Sequence, residues 1–163
     1  MRQKNGFTFI ELVIVIAVIG VLSSIILASI NGSRIRSKDN KRIVDLNNVS
    51  LAMDLYFDKY GAYPPSPQRC CDNNDFKENF ESMVGVLVSE GYLPAVPQPP
   101  TTDYPYMHYQ YPAGEAQGSL INTVLEGINP TTIGPHNSCR PFNTADWCSN
   151  TDPSTYFCLC HPY

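Results

Sequence analysis

From Phe7 to Ile30 the chain reads FTFIELVIVIAVIGVLSSIILASI, twenty-four residues with one charge, Glu11. That exceeds the ~20 apolar residues an α-helix needs to cross a bilayer, so the run predicts a helix of membrane length. Beyond Asn31-Gly32 the apolar positions thin out to Ile35, Ile43, Leu46, Val49, Met53, Tyr56 and Tyr60. From Ile43 on they recur every three or four residues, the period of a helix that buries one stripe. Gly61 is a stop signal, and Pro64-Pro65 blocks continuation. The two stretches together predict one helix over Phe7–Tyr60, roughly 80 Å long at 1.5 Å per residue.

A second helix is expected from Asp75 to Glu90. Phe76, Phe80, Met83, Val84 and Leu87 share a face there, Asn74 or Asp75 suits the cap, and Gly91 the end. The segment Tyr92–Pro100 holds too many prolines for a helix or a central strand. Strands are expected at Tyr106–Tyr111, Ser119–Glu126 and Thr155–Cys160, short and separated by Pro, Gly and Asn. Such strands make a small antiparallel sheet, laid here on the long helix.

A chain of 163 residues allows one modest domain. Its mean hydropathy of −0.18 excludes a polytopic membrane protein. The net charge of −4 hides a sharp division. Asn31–Arg42 holds five bases, Arg34, Arg36, Lys38, Lys41 and Arg42, against Asp39 alone. From Ile43 onward four bases face thirteen acids. A folded part this acidic does not suit a polyanion, so nucleic acid is not the expected partner.

Three readings compete for the N-terminal run. A cleaved secretory signal has a shorter apolar core and a small-residue cleavage site, and neither is present. A plain membrane anchor fits the length but leaves Glu11 unexplained, since a carboxylate inside an apolar span costs several kcal/mol unless it is paired. The third reading accounts for it. Lys4-Asn5-Gly6-Phe7-Thr8-Phe9-Ile10-Glu11-Leu12 resembles the class III signal of type IV pilins and type II secretion pseudopilins. The resemblance implies cleavage after Gly6 by a prepilin peptidase and N-methylation of Phe7. It also implies that the apolar run stays on the mature protein. The amine created on Phe7 would then pair with a neighbouring copy's Glu11 in low dielectric, each subunit recruiting the next. Gly20 and Ser23-Ser24 interrupt the run, as a close-packing surface or as a place where the helix loosens on assembly.

The resemblance implies an α+β pilin fold with four segments: a leader at 1–6, a filament-core helix at 7–30, its amphipathic continuation at 31–62 and a disulfide-rich head at 63–163. By the positive-inside rule, the basic cluster after the span would place the head in the cytoplasm. Six cysteines and the family's insertion place it outside instead. The basic neck is then expected to attract the acidic head of another copy in a staggered array.

Cys70, Cys71, Cys139, Cys148, Cys158 and Cys160 allow fifteen pairings, and the sequence does not choose among them. Bridges between Cys70 and Cys71, or between Cys158 and Cys160, would be strained. The least strained arrangement joins Cys139 to Cys148 and ties Cys70 and Cys71 to Cys158 and Cys160, each bridge giving ~2–4 kcal/mol. It resembles the terminal disulfide loop of many pilins. A zinc site on Cys158-x-Cys160-His161 with Cys70-Cys71 matches no common spacing. Asp72-Asn73-Asn74-Asp75 lacks the glycine and glutamate of a calcium hand, and Asp146 and Asp152 make no better case. No metal and no cofactor are expected.

Tyr104, Tyr106, Tyr109 and Tyr111 suit half-buried strand positions better than an adhesive patch. His108, His136 and His161 fall in no catalytic motif, so no enzyme is expected. The acceptor patterns at Asn31 and Asn48 lie on the stem and are read as chance. The sequence therefore points to a self-assembling subunit, held in the cytoplasmic membrane before an assembly machine stacks it. An extracellular type IV pilus, built by a major pilin, is the first expectation, serving adhesion, motility or DNA uptake. A short periplasmic pseudopilus is the second, and a membrane-anchored binding domain that never polymerises the third.

Overall fold

The structure is a computed structural model that describes residues 8–67, 73–110, 117–130 and 156–162, without the side chains of 24–29, 73, 117 and 162. Two compact units divide the chain, Met1–Ile35 and Arg36–Tyr163. Helix α1, Phe9–Tyr60, supplies residues to both.

In the first unit α1 is bare on every described side. Phe9 is 83% exposed and Val21 63%, with Ile10, Leu12, Ile14, Ile16 and Ile19 all above half. A helix that is apolar all round needs lipid or other chains to cover it. Among the described residues, no helix is long and apolar enough to cross a membrane.

In the second unit the 3.6-residue period decides what is buried. Leu46, Val49 and Met53 have no exposed surface, and Ile43 and Tyr56 pack beside them. Each fully buried apolar side chain of this kind contributes about 1.5–3 kcal/mol. Tyr60, expected on the same stripe, is 45% exposed, and its hydroxyl donates to Glu90 instead.

Helix α2, Asn73–Ser89, adds Phe80, Met83, Val84 and Leu87 to this core. It starts two residues before the expected Asp75, so Asn74 and Asp75 occupy its first turn rather than its cap. Its end is a Schellman motif: Tyr92 N–H donates to Leu87 O (2.9 Å) and Gly91 N–H to Val88 O (3.0 Å). Gly91 takes the left-handed φ of 81° that this closure requires.

Strands β1, Met107–Gln110, β2, Gln117–Val124, and β3, Tyr156–Pro162, form one antiparallel sheet in the order β1-β2-β3. The register sets His108 and Leu159 on either side of Ile121, so these side chains share the face turned to the helices. Ile121 and Phe157 join the helical core there, while Leu120 and Cys158 form a separate cluster with Tyr109, Tyr156 and Cys160. Long helix, second helix and three-stranded sheet make this an α+β pilin-like fold.

The strand boundaries shift by one or two residues from those read in the sequence, and the ends of β2 and β3 show why. The middle strand stops at Val124, because the N–H groups of Glu126, Gly127 and Ile128 turn away to meet Asp39. The last strand runs to Pro162, where Gln117 pairs with it across a bulge. Gly118 lies in that bulge. A Cβ there would come within 2.6 Å of the Tyr63 ring and 2.9 Å of His161 O.

Candidate functional site

The first turn of α1 carries the expected assembly residue. Glu11 Oε2 accepts from Thr8 N–H (2.7 Å) and Thr8 Oγ1 (2.6 Å), while Glu11 N–H lies 3.4 Å from Thr8 Oγ1. This is a capping box, Thr8-x-x-Glu11, which satisfies donors the helix start would leave orphaned. The pattern is legible in the sequence, and the charge-pairing reading of Glu11 passed it over. Within one chain, then, Glu11 already has a local partner and exposed surroundings. Gly6 and Phe7, the cleavage and methylation positions, lie outside the described residues.

The basic neck splits into two kinds of residue. Arg34 and Arg36 are exposed and Lys38 partly so. Lys41 is tied to Asp45 (2.5 Å) and to Gln98 O (2.8 Å). Arg42 is no surface charge at all: its side chain is fully buried. Its Nη1 donates to Asp39 Oδ1 (2.8 Å), and its Nη2 to Thr101 Oγ1 (2.8 Å) and Glu126 Oε1 (2.9 Å). The guanidinium also lies over the Tyr104 ring, 5.2 Å from its centroid. Arg42 therefore cannot join an attraction between copies, a correction to the neck read from composition.

Asp39 completes that cluster. Its carboxylate accepts from the N–H groups of Glu126 (3.0 and 3.1 Å), Gly127 (2.7 Å) and Ile128 (3.0 Å). The stem thus holds the turn after β2 by a buried ion pair and a row of backbone donors. No periodicity signals such a contact, because an Asp and an Arg three apart on a helix read as a solvated pair.

The tyrosines are structural where they are described. Tyr106 is 2% exposed, donates to Asp45 Oδ2 (2.6 Å) and packs beside Phe80, and its hydroxyl is held protonated by burial and then by Asp45. Tyr109 meets the Phe76 ring edge-on. Tyr111 lies outside the described residues.

Two histidines lie in the core. His108 Nε2 is 2.7 Å from Ser119 Oγ, and burial, with His161 adding to it, depresses its pKa to about 3. His161 Nδ1 is 3.0 Å from Asp54 Oδ1 and its Nε2 3.2 Å from Ser50 Oγ. Burial lowers its pKa, and Asp54 opposes that shift. Ser50, His161 and Asp54 thus stand in the order of a hydrolase relay. Helix α1 uses the N–H groups around Ser50 in its own hydrogen bonds, so the stem backbone itself offers no donor to a developing oxyanion.

Cys158 and Cys160 are both disulfide-bonded, which removes them from the zinc alternative. Cys70, Cys71, Cys139 and Cys148 lie outside the described residues, as do Asp72, Asp146, Asp152 and His136. Among the described residues, no group of three or more His, Cys, Asp or Glu side chains could hold a metal.

The chain matches the prokaryotic N-terminal methylation motif over residues 1–27. It is 31% identical to the type II secretion system core protein G of Klebsiella pneumoniae over 138 residues, 78% of this chain and 89% of that one. It is 27% identical to the protein of the same name from Pectobacterium carotovorum over 103 residues, 63% of this chain and 65% of that one. With the Vibrio cholerae serotype O1 protein of that name it shares 28% over 68 residues, 42% of this chain and about half, 47%, of that one. No solved structure matches the chain. With that motif at its start and a core protein G matched along most of its length, the chain belongs to the type II secretion core protein G family, the pseudopilins within the type IV pilin family.

Proposed function

We propose that this chain is a structural subunit of a type II secretion pseudopilus, processed by a prepilin peptidase and assembled through its N-terminal helix. Its role is mechanical rather than catalytic. One observation carries the reading: a helix apolar on all described sides opens on Glu11 inside a methylation motif. Such a helix has no use for water, so the precursor is anchored in the membrane and the assembled form covers the helix with copies of itself.

The relatives carry a secretion name and not a pilus name, which reverses the order of the two filament readings. The pseudopilus becomes the preferred one, and the surface pilus with adhesion or DNA uptake the alternative. The partners that follow are other copies of the chain, the peptidase and a membrane assembly machine, with the head on the far side of the cytoplasmic membrane.

Fractionation of the native host, with intact mass, tests this. The expected species begins at a methylated Phe7 and stays with the cell envelope, and deleting the gene stops export of secreted enzymes. Surface filaments built mainly of this chain, with export unchanged, would return the pilus reading.

A further inference from the structure

Arg34, Arg36 and Lys38 stand four, six and eight residues past Ile30, where the apolar run ends. Arg34 and Arg36 are exposed and Lys38 partly so, and none of the three makes an ion pair among the described residues. Lys41 and Arg42, by contrast, are engaged within the chain. Arg36 and Lys38 are two positions apart, which turns their side chains about 200° around the helix axis. Bases on opposite sides do not make the stripe that a single protein partner would read. They make a ring, and a helix passing through a headgroup layer meets phosphates on every side. Eight residues of helix reach about 12 Å, close to the depth of that layer plus the length of a basic side chain. Arg36 also lines an open hollow of about 370 Å³ with Gly127, Ile128 and Asn129, none of which brings a carboxylate.

Positive charge on this flank opposes insertion with the head outside. A partner that binds it there offsets that cost. From Ile43 onward thirteen acids face four bases, so an anionic surface that attracts the neck repels the rest of the head. We propose that Arg34, Arg36 and Lys38 form a collar that binds the phosphate groups of anionic phospholipids, in the leaflet facing the head, until the subunit is assembled. The inference rests on the membrane-anchored precursor and names what its neck touches. Before assembly the partner of the neck is then lipid, rather than the acidic head of another copy. Assembly must break these contacts one subunit at a time, so the collar sets part of the work of drawing a subunit out of the bilayer.

The test offers the full chain, diluted out of detergent, two kinds of vesicle: phosphatidylcholine alone, and phosphatidylcholine with about 30% phosphatidylglycerol. Loading one kind with sucrose lets density separate them. At about 50 mM salt, the triple variant Arg34→Gln, Arg36→Gln, Lys38→Gln should show an anionic-to-neutral ratio about tenfold or more below the parent's. In about 0.5 M salt the gap should shrink to within about twofold. The bases before the span and the acidic head are common to both chains, so only the collar differs. Glutamine forms helix about as well as arginine or lysine, so the stem stays intact. Equal ratios at low salt, or a gap that salt leaves unchanged, overturns the collar. Equal ratios together with fewer cross-linked multimers in cells would overturn it in favour of an acidic protein partner. A parent chain that enters neither vesicle would remove the anchored precursor itself, and the inference with it.

Discussion

Arg42 Nη1 sits 2.8 Å from Asp39 Oδ1, one turn away on the same helix, and neither side chain has any exposed surface. The pair lies between the stem and the turn that follows β2, since the same carboxylate takes three backbone N–H groups from 126–128. Removing Arg42 would leave the buried Asp39 carboxylate with backbone donors alone. Removing the Asp39 charge would leave the buried guanidinium with Glu126 as its one carboxylate among the described residues. Arg42→Met and Asp39→Asn should each cost about 3–5 kcal/mol, the scale for breaking a buried ion pair. Arg42→Lys should cost nearly as much, because one ammonium cannot reproduce a fork shared among Asp39, Thr101 and Glu126. Urea unfolding of the detergent-solubilised chain measures this, and a loss under about 1 kcal/mol in all three variants would contradict the buried-clasp account.

Acid should loosen the head before its carboxylates titrate. His108 and His161 are both held below their ordinary value, chiefly by burial, so the unfolded chain binds their protons first as pH falls. Their stabilising contribution is complete above about pH 6.5 and declines toward about pH 3, where His108 titrates in the fold. Between pH 7 and 5 stability should fall, with carboxylates adding little in that interval. His108→Gln should flatten the slope whatever it does to the absolute stability. An unchanged slope would mean that the imidazole is not the titrating group.

Gly118 should accept no side chain. Its missing Cβ leaves room for the Tyr63 ring and for the β3 backbone at His161 O, at 2.6 and 2.9 Å from where a Cβ would stand. The carbonyl is fixed by strand pairing and cannot retreat as a flexible side chain would. Gly118→Ala should cost about 1–3 kcal/mol in thermal unfolding, the range for overpacking. Combining it with Tyr63→Leu should recover part of the loss, since one of the two clashes is then relieved.

Much of the fold was legible because it rests on periodicity. Leu46, Val49 and Met53 follow the helical repeat and are buried without remainder, as are Phe80, Met83, Val84 and Leu87 on the second helix. Gly91 announced a helix end because a left-handed closure tolerates few other residues. What stayed hidden depends on contacts distant in sequence. Asp39 and Glu126 are 87 positions apart, and no local pattern marks that Asp39 faces inward. His161 and Asp54 are separated by 107 positions. Arg42 looked like one more exposed base for the same reason. The assembly motif was the opposite case, visible in nine consecutive residues because its chemistry is local.

That locality leaves two explanations of Glu11, and one substitution separates them. As a capping residue Glu11 supports the helix start through Thr8 N–H and Oγ1. As an assembly residue it supplies the negative charge that a neighbour's Phe7 amine needs. Glutamine fills the third position of a capping box as glutamate does, but carries no charge. Glu11→Gln should therefore insert and be processed normally while assembling as poorly as Glu11→Ala, which loses both functions. Thr8→Val, which removes the hydroxyl and keeps the carboxylate, should cost about 1 kcal/mol at the cap and leave assembly near the parental level. Cross-linked multimer yield reads all three. If Glu11→Gln assembled normally and Thr8→Val did not, Glu11 would act by shaping the first turn, and the pairing of its charge with a neighbouring amine would have to be abandoned.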